Sequence, residues 1–372
     1  MAAHPWRVGV LFSRSGATGV TEREHLLGAE LAFAELNARG GVSGRPVEVV
    51  SLDPASDASL YRAHAERLMT TEAVSVIFGC HTSDSRKAVL RSIERRNGLL
   101  WYPSTYEGFE YSTNVLYTGP VANQCAYPLV AYALAEHGRR FAFVGCDYVF
   151  PRETNRVTRD LVESGGGEVV GESYVPMLAA PSALERLLVD IRRTRPDVIF
   201  STLVGETGRA FCRMRHDAGI KAPVASLTLM EGEVAAIGAE ACEGFLTAAS
   251  YFATVATDEN ARFRRAFADR FGADQPVSAW SAASYAQVGM FAQALEIAGS
   301  LDPERLTQAA QGMEHAAPEG PVLIDPDNNH AWLTPRIGRV NAQGGFDVVW
   351  DAGELVRPDP YLATSPMPTA AA

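Results

Sequence analysis

Residues 8–12 form an unbroken apolar run, Val8-Gly9-Val10-Leu11-Phe12, which predicts a strand buried on both faces. A hydroxyl- and glycine-rich stretch over 13–19 then leads into a helix over about 22–38. Leu26, Ala29, Phe33 and Leu36 keep a helical stripe there, and Gly40-Gly41 stops it. The same order returns as strand 47–52, helix 61–69, strand 74–78, helix 84–96 and strand 99–102, which Pro103 ends. The pattern then restarts with strand 141–144, helix 154–163, a Gly165-Gly166-Gly167 break and a strand ending at Tyr174. Ser182 stands three residues before Glu185 and reads as a capping box, with Leu184, Leu187, Leu188 and Ile191 on one helix face. Residues 197–200 are another buried strand, Phe263, Ala266, Phe267 and Phe271 make a helix face, and 282–298 is a long helix of mostly small side chains. Beyond it, 320–324, 337–340 and 346–350 are short strands separated by turns. Alternation of strand and helix predicts parallel sheets covered by helices, and the restart predicts two structurally similar α/β lobes. The Pro-, Ala- and Ser-rich tail from Pro358 is expected to wrap the surface or fray.

Composition changes little in that picture. A chain of 372 residues supports two domains. Its formal charge of -11 gives a nucleic acid no general electrostatic reason to bind. The five cysteines, Cys80, Cys125, Cys146, Cys212 and Cys242, show no CxxC spacing, and an odd, scattered set fits reduced, buried thiols. The first apolar run is too short for a signal-peptide core and no stretch reaches membrane-spanning length, so the chain reads as cytoplasmic. A periplasmic or lipid-anchored protein whose upstream signal had been removed would look the same.

Open α/β sheets bind ligands at the carboxyl ends of their strands. Here those ends are the loops 13–18, 80–85, 102–107, 147–151, 203–207 and 228–231, rich in hydroxyls and tyrosine with few fixed charges. Phosphate-loop, dinucleotide, nucleophile-elbow and zinc-helix motifs are absent, and the eight histidines form no metal pair, so no cofactor, metal or catalytic residue is assigned. The loop Ser13-Arg14-Ser15-Gly16-Ala17-Thr18 resembles the phosphate loop of flavodoxin-like FMN proteins, the alternative being a polar turn lining a cleft. Ser83 with His81 is the sole nucleophile-and-base pairing, and nothing suggests a third member or an oxyanion donor. His81 is otherwise a candidate ligand contact in a strand-end loop, the remaining histidines being read as surface or ordinary polar positions. Tyr102 to Thr105 leave a strand together, and their hydroxyls suit a neutral amide or urea-like solute.

Several stretches, in order along the chain, carry a family resemblance: Ala34-Glu35-Leu36-Asn37, Gly40-Gly41-Val42, Phe78-Gly79-Cys80 with Ser85-Arg86-Lys87, and Tyr102-Pro103 with Tyr106 to Ser112. Asp147-Tyr148 with Pro151-Arg152-Glu153, Asp197 to Thr202, Ala317 to Val322, Asn328-Asn329-His330 and Arg357 to Tyr361 continue it. On these residues the chain resembles the amide-sensing negative regulators of aliphatic amidase operons, and more broadly the short-chain amide and urea binding proteins of the type I periplasmic-binding fold. The resemblance implies an α/β architecture of two Rossmann-like lobes, a hinge and an interlobe cleft. The first lobe would be 5–122 plus 253–328, the second 123–252 plus 329–352, and 353–372 a C-terminal tail. It implies that Ser83, Tyr102 and Ser104 contact ligand from the first lobe and Tyr148 from the second, with Thr105, Phe150, Glu206 and the turn 229–231 completing the wall. His81, Ser104, Thr105, Phe150 and Leu229-Met230 depart from the residues of the amide regulator and add an imidazole and apolar bulk. A Glu206 facing ligand would favour a cationic guest, whereas a Glu206 facing solvent leaves the site amide-like. The function implied is a cytoplasmic amide or urea sensor that restrains an RNA-binding antiterminator protein. The alternative is the solute-binding component of an ABC transporter, partnered by a permease, for urea, short amides or branched-chain amino acids. Either role is compatible with a homo-oligomer.

Overall fold

The computed structural model describes residues 4–365, which divide into two compact units. The first takes 4–105, 110–120 and 255–333, and the second takes 106–109, 121–254 and 334–365. Residues 329–333 thus join the first unit and 353–365 the second, while the rest of the expected tail, 366–372, lies outside the described residues.

The first unit is built on five strands: β1 (Trp6–Leu11), β2 (Val47–Leu52), β3 (Val76–Gly79), β4 (Leu99–Tyr102) and β5 (Val115–Tyr117). They pair in parallel in the order β2-β1-β3-β4-β5. In such a sheet the strands leave β1 in opposite directions, so the loops after β1 and β3 open side by side at a topological switch point. Helix Gly19–Ala38 packs on helix Ala279–Ala298 over this sheet. Phe33, Phe78, Trp101 and Phe291 interlock edge to face and stacked beneath them, with ring centroids 5.2–6.3 Å apart.

The second unit carries β6 (Arg140–Cys146), β7 (Glu168–Val175), β8 (Val198–Thr202), β9 (Val224–Ser226) and β10 (Leu246–Ala249). A small antiparallel sheet of β11 (Glu314–Ala317), β12 (Gly320–Ile324) and β13 (Ala331–Trp332) returns to the first unit. Then β14 (Arg336–Val340) and β15 (Phe346–Asp351) complete the second unit's sheet, ordered β15-β14-β10-β9-β8-β6-β7. β6 to β10 run parallel, and β14 and β15 add antiparallel at one edge. Phe141, Phe143, Phe200, Leu129 and Leu161 form this unit's separate core.

Local chemistry moves several helix starts from where the sequence pattern put them. The helix expected to begin at Ser182 begins at Pro181, with Ala180 at its N-cap, because proline's fixed φ suits the first helical position. Helix Val149–Ser164 takes in Phe150 and Pro151, which the sequence placed in a loop; the missing N–H of a proline costs nothing in a first turn. Helix Ala279–Ala298 starts three residues earlier than expected, on a Ser278 cap, and so gathers Trp280 into the fold. All five thiols are buried and unbridged. Among the described residues no helix is long and apolar enough to cross a membrane.

Candidate functional site

In the first unit the loop after β3 is forced into a sharp exit. Gly79 has φ +154 and Cys80 has φ 67, and a Cβ on Gly79 would meet the Leu11 carbonyl at 2.4 Å. A non-glycine residue held at positive φ costs roughly 1–3 kcal/mol and persists where its surroundings over-determine it. Here the Cys80 N–H donates to the Leu11 carbonyl at 2.9 Å, and the turn delivers His81 beside the end of β4. The Tyr102 hydroxyl donates to the His81 carbonyl at 2.8 Å, so Tyr102 braces the loop from a fully buried position. Helix Ser83–Arg95 follows, capped by Thr82, which accepts from the Ser85 N–H at 3.1 Å.

The site's centre is a buried polar cluster. His81 Nδ1 lies 3.0 Å from Ser104 Oγ and 3.3 Å from His25 Nε2, and Ser104 Oγ is 3.2 Å from the same His25 nitrogen. The other His25 nitrogen, Nδ1, is 2.8 Å from Ser284 Oγ. Aromatic rings enclose the cluster: Phe12 stacks on His25, and Trp280 packs 5.2 Å from His25 and 5.1 Å from His81. Burial pushes the His81 pKa down to about 4 and, with His81 as neighbour, holds His25 well below the ordinary imidazole range. Both rings are therefore neutral at pH 7. Thr105 Oγ1 donates to the Pro120 carbonyl at 2.9 Å, and the buried Ser83 hydroxyl receives an Arg86 N–H at 3.4 Å.

His25, Trp280 and Ser284 were missed by the sequence reading. The signal for His25 was present: it lies four residues before Ala29, so it extends the apolar stripe of its helix and has to be buried. Trp280 and Ser284 went unread because the helix was started too late. The phosphate-loop alternative fails on its own residues. Glu22 is buried and accepts the Ser13 N–H at 2.7 Å, the Thr18 hydroxyl at 2.6 Å and the Tyr61 hydroxyl. A carboxylate already fills the cradle an anion would need.

The second unit presents its own strand-end residues. Half-buried Tyr148 is the N-cap residue of helix Val149–Ser164, and its ring lies 6.3 Å from that of buried Phe150. Met230 is buried where helix Glu231–Ile237 begins, and Leu229 is held through its carbonyl by the Thr247 hydroxyl at 2.7 Å. Glu206 is 59% exposed and pairs with Arg209 at 3.0 Å, so it faces solvent. The buried partner of Arg209 is Glu233, also at 3.0 Å. Glu206→Gln is expected to change stability by less than about 0.5 kcal/mol, as exposed pairs do. Glu233→Gln strips charge from the buried partner and is expected to cost about 1.5–3 kcal/mol, read from urea titrations of both variants.

Comparison with known proteins adds the family. Residues 6–367 match the periplasmic binding protein domain model. A Leu/Ile/Val-binding protein homolog from Brucella melitensis is 25% identical over 334 residues, covering 87% of this chain and 84% of its own length. A solute binding protein of an ABC transporter from Rhodopseudomonas palustris, in complex with 3,4-dihydroxybenzoic acid, superposes with a TM-score of 0.84 at 22% identity, covering 94% of this chain and 98% of that one. The branched-chain amino acid transporter substrate binding protein of Streptococcus pneumoniae, in complex with isoleucine, gives 0.82 at 20% identity, covering 95% and 100%.

These matches correct the regulatory reading. They lie among transporter solute-binding proteins, so the expectation of a cytoplasmic sensor restraining an antiterminator is overturned, and the cytoplasmic assignment with it. The cysteines, read from their spacing as reduced and buried thiols, are all buried and unbridged. The fold expectation, two α/β lobes of the type I periplasmic-binding class, holds, and the family is one of non-catalytic binding proteins. The chain belongs to the periplasmic binding protein domain family.

Proposed function

We propose that the protein is the extracytoplasmic solute-binding component of an ABC transporter, handing a small organic acid with an apolar body to a membrane permease. The observation that carries this is the first unit's strand-end wall, where His81 packs on the Trp280 ring and lies 3.0 Å from Ser104, and the buried Ser83 opens the helix that follows, within a chain matched to a binding-protein family over 6–367. Ser83 opens a helix whose positive dipole end favours a carboxylate. Trp280 and His81 offer aromatic surface to a hydrocarbon body. At the second unit's own strand ends, Tyr148 carries a phenol that can both donate and accept, beside the buried Phe150. Tyr102 and Thr105 act behind this surface, since their hydroxyls hold the His81 and Pro120 carbonyls. Glu206 takes no part.

The relatives' own ligands, branched-chain amino acids and hydroxylated benzoates, share that chemistry of a carboxylate on an apolar body. A small amide or urea is the second reading, favoured by the Ser83 and Ser104 hydroxyls. A thermal-shift and calorimetry panel of 4-hydroxybenzoate, benzoate, isoleucine, acetamide and urea separates them. A ligand at 100 times its Kd stabilises the folded state by about 2.7 kcal/mol. The acids are expected to raise the melting temperature and the neutral solutes to leave it unchanged. A shift with acetamide or urea alone transfers the assignment to amides, and no shift with any member rejects the solute class. Glu206→Gln is expected to leave the affinity of the best acid within twofold.

A further inference from the structure

A second pocket opens on the opposite edge of the first unit's sheet. Asn97 stands just before β4 and Asn114 just before β5, at the amino ends of these strands, whereas His81 and Ser104 follow the carboxyl ends of β3 and β4. The length of β4, roughly 10 Å at 3.3 Å per residue, lies between the two edges. Helix Pro303–Ala310, with Gln311 and Asn329, closes the other side, and these lining residues all belong to the first unit. The pocket holds about 400 Å³. Small-molecule sites span roughly 300–1,000 Å³.

The lining consists of uncharged hydrogen-bonding groups with capacity to spare. The Asn114 side-chain amide donates to the Gly98 carbonyl at 2.8 Å and to Asn97 Oδ1 at 3.1 Å. A carbonyl only accepts, which fixes the orientation of both amides and leaves Asn97 its two N–H donors. Gln311 and Asn329 bond each other at 2.8 Å through one end of each side chain. Whichever way those two amides are turned, the other end of each stays open. Asn329 is 1% exposed, and its open end is not among the enclosed polar atoms, so it faces the pocket. Thr307, also buried, lines the pocket and has a hydroxyl without a hydrogen-bond partner. Gln308 and the ring of Tyr111 stand exposed at the rim.

Backbone alone accounts for two of these residues, since Asn97 and Asn329 hold φ of 49 and 59, a region asparagine tolerates. It accounts for neither Gln308 nor Gln311 nor the unpaired Thr307 hydroxyl, whose burial is a cost that a bound donor or acceptor removes. Among the described lining residues Glu304 alone is charged, so nothing in the pocket holds an anion. An apolar guest would strip water from the amides without pairing them. A neutral ring bearing neighbouring hydroxyls meets every condition: each hydroxyl donates and accepts, and the C–H face of the ring lies on an aromatic side chain.

We propose that this pocket binds the pyranose ring of a neutral saccharide, with its hydroxyls on the amides and Thr307 and its C–H face on Tyr111. The site does not depend on which solute the strand-end wall carries.

Saturation-transfer difference NMR of the full chain with methyl glucoside, N-acetylglucosamine and maltose tests it. At least one of the three is expected to bind with a Kd on the order of 1 mM, as suits a small ring on an open polar surface. Tyr111→Ala is expected to weaken that binding about fivefold through the lost ring contact. Thr307→Val removes a hydroxyl that bonds nothing in the free protein. It is expected to weaken saccharide binding about fivefold while leaving the urea midpoint unchanged or raised, an outcome that a merely structural role would not give. His81→Phe, at the other edge, is expected to leave saccharide binding within about twofold. No response to any of the three saccharides overturns the proposal, and so does a response that either Tyr111→Ala or Thr307→Val leaves intact. A response abolished by His81→Phe places the sugar on the strand-end wall and overturns it too. A Tyr111-dependent response to N-acetylglycinamide and to no saccharide rejects the sugar in favour of a peptide amide.

Discussion

Arg86→Ala is expected to destabilise the first unit by about 3–5 kcal/mol, the cost of breaking a buried ion pair by removing one partner. The Arg86 side chain is fully enclosed and its Nε lies 2.6 Å from Glu110, whose side chain is 12% exposed. A second nitrogen reaches the other carboxylate oxygen at 3.3 Å, and the guanidinium sits 4.9 Å over the Tyr102 ring. That fork geometry is available to arginine alone, so Arg86→Lys is also expected to lose most of the pair. Lys87 at 2.9 Å and the Tyr117 hydroxyl at 3.3 Å stay with Glu110, which keeps the loss near the lower end of the range. The double variant Arg86→Met with Glu110→Gln is expected to be less destabilised than the sum of the single changes, because neither charge is then left alone. Urea titrations of the three variants measure the coupling; strict additivity would show that the pair does not act as a unit.

The same carboxylate gives a pH dependence. Arg86 and Lys87 outweigh burial and hold the Glu110 pKa down at about 2, below the ordinary glutamate value near 4.5. A group whose folded pKa is depressed stabilises the native state above its unfolded pKa and loses that contribution as pH falls through the folded value. Stability is therefore expected to fall between about pH 4.5 and pH 2 in the wild type, and the slope of that fall to be smaller in Glu110→Gln.

Much of this architecture was legible in the chain, for a physical reason. The strands of a parallel sheet are buried on both faces and leave unbroken apolar runs such as 8–12 and 197–200, and the helices between them keep a stripe such as Leu26, Ala29 and Phe33. His81 and Ser104 could be singled out because both stand where strands end. What stayed hidden depends on contacts between residues far apart in sequence. His25 and Ser284 are separated by 259 positions, and Trp280 reaches the cluster only because a serine cap starts its helix early. The solvent-facing side of Glu206 was undecidable for a similar reason, since the residue that turns it outward, Arg209, is itself drawn inward by Glu233. Function went astray at the partner. The strand-end loops show their hydroxyls and rings in the sequence, whereas a partner protein would leave no periodicity or motif in them.

Gly28→Ala is expected to cost about 2 kcal/mol net and to disturb the histidine cluster, although the change adds a single methyl group to a helix. A β-carbon at position 28 would lie 2.0 Å from the Ser281 carbonyl oxygen and 2.8 Å from its carbon. Those atoms are backbone, so no side chain can swing aside and the helix Ala279–Ala298 itself must withdraw by more than an ångström. Overpacking typically costs about 1–3 kcal/mol, and a rigid helix pair falls at the upper end. Alanine's better helix propensity returns only about 1 kcal/mol. The displaced helix carries Trp280 and Ser284, and His25 lies one turn from Gly28 on the opposing helix. Withdrawal therefore stretches the 2.8 Å contact between His25 Nδ1 and Ser284 and disturbs the packing of Trp280 on both imidazoles. Two measurements on this one variant are diagnostic: a lowered urea midpoint, and a shift of the His25 and His81 nitrogen resonances at neutral pH. A Gly28→Ala protein with wild-type stability and unchanged histidine resonances would show that the helix pair yields without cost and that the cluster does not depend on its spacing.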